Sequence, residues 1–405
     1  MRKRVLFLAE AVTLAHAARP YVLAKGLASP DYEVHFAVAD RYPLDFGNLD
    51  IRRWPLRSIA PEAFRDSLAS GTPLYNAATL TDYVNDDLEL IDKVSPHLVV
   101  GDFRLSLAVS AALRNVHYIN VTNAHWSPFS TRKRLPFPEH ALGKLVGSSV
   151  ASVLFNAVAP LILRTHAAPH NKLRRAHGLA PLGDLRSVYT WGDTTLYADV
   201  PELVQTRSLP ASHRYIGPLL YSPEGVEPPW WAGIPQDRPC IYLTLGSSGQ
   251  TSAVSAILRG LASLPVTVLL STAGRDLGAS LPDNVLTADF LPGSAAARRS
   301  DLVVCNGGSA TVYQALAESR PVLGLPSNLD QHLTMASVCE AGAGLSIRAE
   351  EARSANVARA VVRLLDANGN AKTCAGRVAT WFNAYRASDR FGEVVAEVLR
   401  GVSVA

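Results

Sequence analysis

The segment Asp301-Leu-Val-Val-Cys-Asn306-Gly-Gly-Ser309-Ala-Thr311-Val-Tyr-Gln314-Ala-Leu316 reads as a strand that ends in paired glycines and turns directly into a helix. Its continuous apolar run suits a strand covered on both faces, and the small hydroxylated residues after the glycines suit a helix start. Gly307 and Gly308 let a ligand approach the backbone closely. The helix N-terminus adds unpaired N–H groups and the positive end of a dipole. Asn306, Ser309 and Thr311 supply side-chain donors. Such a turn suits a phosphate or diphosphate, although a capped βα turn of this kind also occurs without any ligand.

The same grammar extends in both directions. Strand-like runs at 241–246, 266–272, 285–290 and 322–325 alternate with helical patterns at 252–262, 310–318 and 331–341. In the first half, runs at 5–9, 34–39, 98–102 and 118–122 alternate with helical patterns at 20–28, 78–93 and 105–114. Apolar strands joined by crossover helices predict parallel sheets, so the chain reads as α/β with two Rossmann-like, doubly wound domains. Pro218, Pro223, Pro228, Pro229, Pro235 and Pro239 interrupt the stretch between them, because proline neither donates to a ladder nor continues a helix. The expected organisation is residues 1–217, a linker at 218–239, residues 240–375, and a closing helix at 376–405.

Composition sets outer limits. The 405 residues are 48% hydrophobic and 18% charged, with a net charge of +4. That balance excludes a largely disordered chain or a coiled-coil rod, and it gives no footprint for nucleic acid. Cys240, Cys305, Cys339 and Cys374 form no C-x-x-C pair, so reduced thiols in a cytoplasmic protein are expected. The apolar run after Met1-Arg2-Lys3-Arg4 ends at Glu10, which is short for a signal peptide and suits a first strand. An uncharged stretch at 145–163 lies between Lys144 and Arg164, but Gly147, Ser148, Ser149, Ser152, Asn156 and Pro160 make it poor hydrocarbon. A packed internal helix is the first expectation for it. Peripheral membrane contact, helped by Arg132-Lys133-Arg134, or the lining of an apolar pocket is the alternative.

Two further strand ends resemble the first turn. Leu245-Gly246-Ser247-Ser248-Gly249 follows one strand, and Gly324-Leu-Pro326-Ser-Asn-Leu-Asp330-Gln331 follows another. Asp330 and Gln331 suit sugar hydroxyls, or they cap a helix. Together, Asn306-Gly-Gly-Ser-Ala-Thr, Gln314-Ala-Leu-Ala-Glu, Arg320-Pro-Val-Leu-Gly-Leu-Pro, Asp330-Gln331 and Ala341-Gly-Ala-Gly344 resemble the donor-binding signature of GT-B nucleotide-sugar glycosyltransferases. Asp289-Phe-Leu-Pro-Gly293 is similar to that family's nucleobase segment, and Tyr242-Leu-Thr-Leu-Gly-Ser247 to its phosphate-side loop.

The resemblance implies two domains facing across a cleft, with the last helix crossing back to the first domain. It implies that Asn306, Gly307, Gly308, Ser309 and Thr311, with Gly246, Ser247 and Ser248, hold the diphosphate. Gln314 would hold the ribose, Asp330 and Gln331 the sugar, and Leu291 and Gly293 the base. The family has His, Glu and Gln where Asn306, Gln314 and Gly293 stand.

In the first half, His16 lies after the first strand and Asp102 ends the strand at 98–102. A histidine there suits a general base or a surface position, and the aspartate suits its partner or a helix cap. The resemblance places the catalytic base after the first strand and an aspartate beside it, hence a His16–Asp102 dyad. Asn123, His125 and Trp126 are expected to face the acceptor. The implied reaction is inverting transfer from a UDP- or dTDP-sugar to a hydroxyl of a small, hydrophobic acceptor. No D-x-D motif occurs, so neither a bridging metal nor another cofactor is expected. A nucleotide-sugar epimerase and a non-catalytic binding relative are the rival expectations.

Overall fold

A computed structural model describes residues 2–139, 143, 146–223, 227–245, 254–275 and 281–401. The chain forms two compact units. The first comprises Met1–Arg134, Leu154–Tyr221 and Tyr385–Ala405, and the second comprises Leu135–Val153 and Ser222–Ala384.

The first unit holds a seven-stranded sheet made of β1 (Lys3–Ala9), β2 (Tyr32–Val38), β3 (Ile51–Pro55), β4 (Leu98–Asp102), β5 (Tyr118–Thr122), β6 (Thr194–Tyr197) and β7 (His213–Tyr215). Its order is β3-β2-β1-β4-β5-β6-β7, and every pairing is parallel. The second unit holds β8 (Cys240–Thr244), β9 (Thr267–Ser271), β10 (Val285–Ala288), β11 (Leu302–Cys305), β12 (Val322–Gly324) and β13 (Gly344–Ser346), in the order β10-β9-β8-β11-β12-β13. These pairings are parallel as well. Both sheets are doubly wound, as the alternating runs predict. Their orders reverse between β1 and β4 and between β8 and β11, where ligands of such sheets collect.

β1 is buried from Val5 onward, and β4, β5, β8, β9 and β11 are buried throughout, which explains their unbroken apolar reading. The helix Ala387–Leu399 returns to the first unit and adds Phe391, Val394 and Val395 to its core beside Phe7 and Phe36. Gly217 stands where the chain leaves this unit, with φ +98°, and a side chain there would collide with the Tyr385 Cβ as the chain re-enters. Residues 135–153 pack with the second unit. Glu139 donates its N–H to the Ser327 carbonyl at 3.0 Å, and Arg348 Nη1 donates to the Phe137 carbonyl at 2.8 Å.

Two local expectations change. The uncharged stretch is not a packed internal helix: within Ser148–Ala176, Val150, Val153, Leu154, Val158 and Leu161 are exposed. The first helix also starts earlier than expected, at Leu14, with Pro20 inside it. Pro20 lacks the N–H that would bond the His16 carbonyl, a loss that falls near the helix N-terminus.

Candidate active site

Within the first unit, β1 and β4 end level, since Ala9 pairs with Asp102. His16 lies in the first turn of the helix Leu14–Leu27, not in the preceding loop, and its Nδ1 is 2.8 Å from Asp102 Oδ1. Asp102 is fully buried, and the helix that follows it begins at Leu107, so it does not cap that helix. The His16 side chain keeps 20% of its surface exposed. Its ring stacks on Phe103, with centroids 4.4 Å apart and planes at 16°. Phe103 holds φ +58°, a sparsely populated conformation for a residue with a side chain, and this is the turn that follows Asp102. Nδ1 faces the carboxylate and also lies 3.1 Å from Arg19 Nη2, which leaves Nε2 as the ring nitrogen outside these contacts.

Arg19, one helical turn beyond His16, grips the same carboxylate with Nε 2.7 Å from Oδ2 and Nη2 2.8 Å from Oδ1. Its Nη1 donates to Asn123 Oδ1 at 2.6 Å, and Asn123 Nδ2 donates to the buried Asp199 at 3.0 Å. Both ends of the Asn123 amide therefore belong to this network. His125 is buried, at 4% exposure. Trp126 keeps part of its surface and meets Tyr189 edge-on at 4.9 Å, while Tyr189 meets Phe103 at 5.2 Å. An aromatic wall thus runs from His16 through Phe103 and Tyr189 to Trp126.

Glu10, just after β1, donates its N–H to the Asp102 carbonyl at 3.3 Å. Its carboxylate is 3.1 Å from Arg104 Nη1, and Arg104 Nε is 2.9 Å from Asp87 Oδ1. All three charged side chains are fully buried. Tyr83 completes the cluster, with its hydroxyl donating to Glu10 at 3.0 Å and its ring 3.7 Å from the Arg104 guanidinium carbon. Burial pushes the Glu10 and Asp87 carboxyls up, while Arg104 opposes that rise.

In the second unit, Asn306 follows β11, and its Oδ1 accepts from the Gly308 N–H at 3.1 Å. Gly307 holds φ +80°, and a Cβ there would lie 2.7 Å from Met335 Cγ, so only glycine fits. Gly308 is the N-cap of Ser309–Ala317, which places Ser309 and Thr311 in the first turn with the unpaired N–H groups. Asn328 caps the helix Leu329–Glu340 by accepting from the Gln331 N–H at 3.1 Å, leaving Asp330 in its first turn as an acidic residue. Gln331 is buried, and its Oε1 accepts from the Ser327 N–H at 3.0 Å. Its carbonyl end therefore shapes the loop. Leu291 is buried. A Cβ on Gly293 would sit 2.5 Å from Gln314 Oε1. Gly246, Ser247 and Ser248 lie outside the described residues. Among the described residues, no group of three His, Cys, Asp or Glu side chains is placed to hold a metal ion.

Over 365 residues the chain is 48% identical to the PGL/p-HBAD biosynthesis glycosyltransferase of Mycobacterium tuberculosis (strain ATCC 25177 / H37Ra), covering 90% of this chain and 85% of that one. The chain belongs to this glycosyltransferase family. A PGL/p-HBAD biosynthesis rhamnosyltransferase of Mycobacterium bovis (strain BCG / Pasteur 1173P2) is 46% identical over 400 residues, 98% of this chain and 88% of the relative. Residues 255–384 match the family model "Erythromycin biosynthesis protein CIII-like, C-terminal domain". The fold is GT-B, shared with a Streptomyces sp. SF2575 glycosyltransferase solved with thymidine diphosphate. That structure has a TM-score of 0.66 and 18% identity, over 98% of this chain and 100% of that one.

In this glycosyltransferase, Arg19, Asp199 and Phe103 escaped sequence reasoning, because their roles depend on strand ends that meet only in three dimensions. Phe290 carried a signal that was within reach. It lies in the nucleobase-like segment and is 72% exposed, a large apolar ring left in solvent beside Leu291.

Proposed function

We propose that this glycosyltransferase transfers a sugar, with inversion, from a dTDP- or UDP-sugar to the hydroxyl of a small hydrophobic acceptor. The observation that carries the reading is the 2.8 Å contact between His16 Nδ1 and Asp102 at the reversal of the first sheet. His16 Nε2 takes the proton as the acceptor oxygen attacks the anomeric carbon, and Asp102 stabilises the imidazolium that results. The bond from that carbon to the diphosphate oxygen breaks, and the leaving diphosphate keeps the electron pair. Asn306, the Gly307–Gly308 turn and the first turn at Ser309–Thr311 supply donors to it in place of a cation. Phe290 offers a face on which a pyrimidine base stacks, Gln314 the contact to ribose, and Asp330 with the amide of Gln331 the contacts to the sugar.

The rhamnosyltransferase name of one relative, and the thymidine diphosphate in a structural neighbour's description, favour a dTDP-deoxysugar donor. The ring wall from Phe103 to Trp126 favours an aromatic acceptor. Incubation of the whole chain with dTDP-rhamnose or UDP-glucose, with and without a hydrophobic phenol, tests this. Acceptor-dependent nucleotide release and an inverted anomeric product are expected. Isomerised nucleotide sugar without release, or binding with no turnover, would sink the proposal.

Arg19 acts as a positioning residue in this scheme, because it fixes both oxygens of Asp102 and so the side of His16 that faces the ligand. Arg19→Gln is expected to lower kcat about 10–100-fold, the usual cost of losing an orienting partner, with donor KM unchanged. A loss confined to KM would remove Arg19 from this role.

A further inference from the structure

The helix Ser148–Ala176 has two different halves on one outward side. Val150, Val153, Leu154, Val158 and Leu161 are 52%, 68%, 48%, 48% and 67% exposed. At about 100° per residue these positions share a sector of roughly 140°, and Arg164, Lys172 and Arg175 continue it as exposed cations. No Asp or Glu occurs between Glu139 and Asp184. The opposite side is anchored in the first unit: Leu163, Ala167, His170 and Leu173 are buried, and Ala167 packs with Val188 and Tyr189. His170 Nε2 is also 3.0 Å from the Leu105 carbonyl.

The helix is long and apolar enough to cross a bilayer by length and composition. Its C-terminal half, from Leu163 to Leu173, is tied along the first unit, which favours a helix lying on a membrane over one crossing it. An apolar stripe continued by cations suits a helix lying in the plane of a lipid headgroup layer. We propose that this face docks on an anionic membrane surface, with Val150 to Leu161 entering the headgroup boundary and Arg164, Lys172 and Arg175 meeting lipid phosphates. A second copy of the chain is the poorer occupant. Laid on itself in either direction, the helix offers its cations no acidic partner, whereas an anionic bilayer supplies the opposite charge everywhere. The proposal is independent of which sugar or acceptor the enzyme uses.

The full chain should co-sediment with vesicles of phosphatidylglycerol and phosphatidylcholine, and much less with phosphatidylcholine alone. The paired change Leu154→Asp with Leu161→Asp should weaken partitioning at least about tenfold. Arg164→Glu with Lys172→Glu should abolish the preference for anionic vesicles. These positions are exposed, so the far-UV spectrum and unfolding midpoint should stay unchanged in both variants. Leu161→Trp should give a blue-shifted difference emission on anionic vesicles. Absence of wild-type binding, or variants that bind as well as wild type, would overturn the proposal. So would a wild-type dimer that the leucine changes convert to monomer while vesicle binding is absent.

Discussion

Replacing His16 with alanine should lower the transfer rate about 10²–10⁴-fold, the usual contribution of a positioned general base. The measurement is kcat from nucleotide release at saturating donor and acceptor. His16 is the partly exposed end of a network whose remaining members are buried, and Asp102 keeps both of its Arg19 contacts when the imidazole is removed. The fold should therefore survive, and the loss should appear in the chemical step. Donor affinity, measured by dTDP titration, should not change, because every proposed donor contact lies in the second unit. A His16→Ala enzyme that keeps its full rate would show that the proton leaves by another route.

The second large effect concerns stability. Arg104→Met should destabilise the protein by about 3–5 kcal/mol, because it leaves Glu10 and Asp87 as buried carboxylates without their cation. The deficit should depend on pH. Both carboxyls are raised in the folded state by burial, so the folded chain holds their protons more tightly than the unfolded chain does. Stability from these groups is therefore greatest below the usual carboxylate range and falls as pH rises through the raised folded range. Without Arg104 the rise grows. Urea unfolding of variant and native protein should show a large difference near neutral pH that narrows on acidification. A pH-independent difference would mean that lost packing, and not uncompensated charge, is the cause.

The strands at 98–102, 118–122 and 302–305 were legible residue for residue, because each is buried on both faces and reads as continuous apolar sequence. β3 and β7 were not, since they lie at the sheet edges and carry Arg52-Arg53 and His213-Arg214. β6 opens with Thr194-Thr195, whose hydroxyls pair inside the protein, and so it lacks the unbroken apolar run of the other buried strands. In the candidate site, His16 and Asp102 could be named because one lies after a strand and the other ends one. Arg19 could not, since its partners Asp102 and Asn123 lie 83 and 104 residues away. The Asn123 contacts were hidden for the same reason: its partners Arg19 and Asp199 lie 104 and 76 residues away.

The helix Ala387–Leu399 bears on how the protein is made. Phe391, Val394 and Val395 fill the core of the unit that also holds β1, so they are made long after its strands. Domains generally fold as units and in order of synthesis. This one lacks part of its core until the helix that follows the second unit in sequence has been translated. Its exposure to aggregation and to chaperones is therefore set by the translation time of the second unit, which lies between its two ends in the gene.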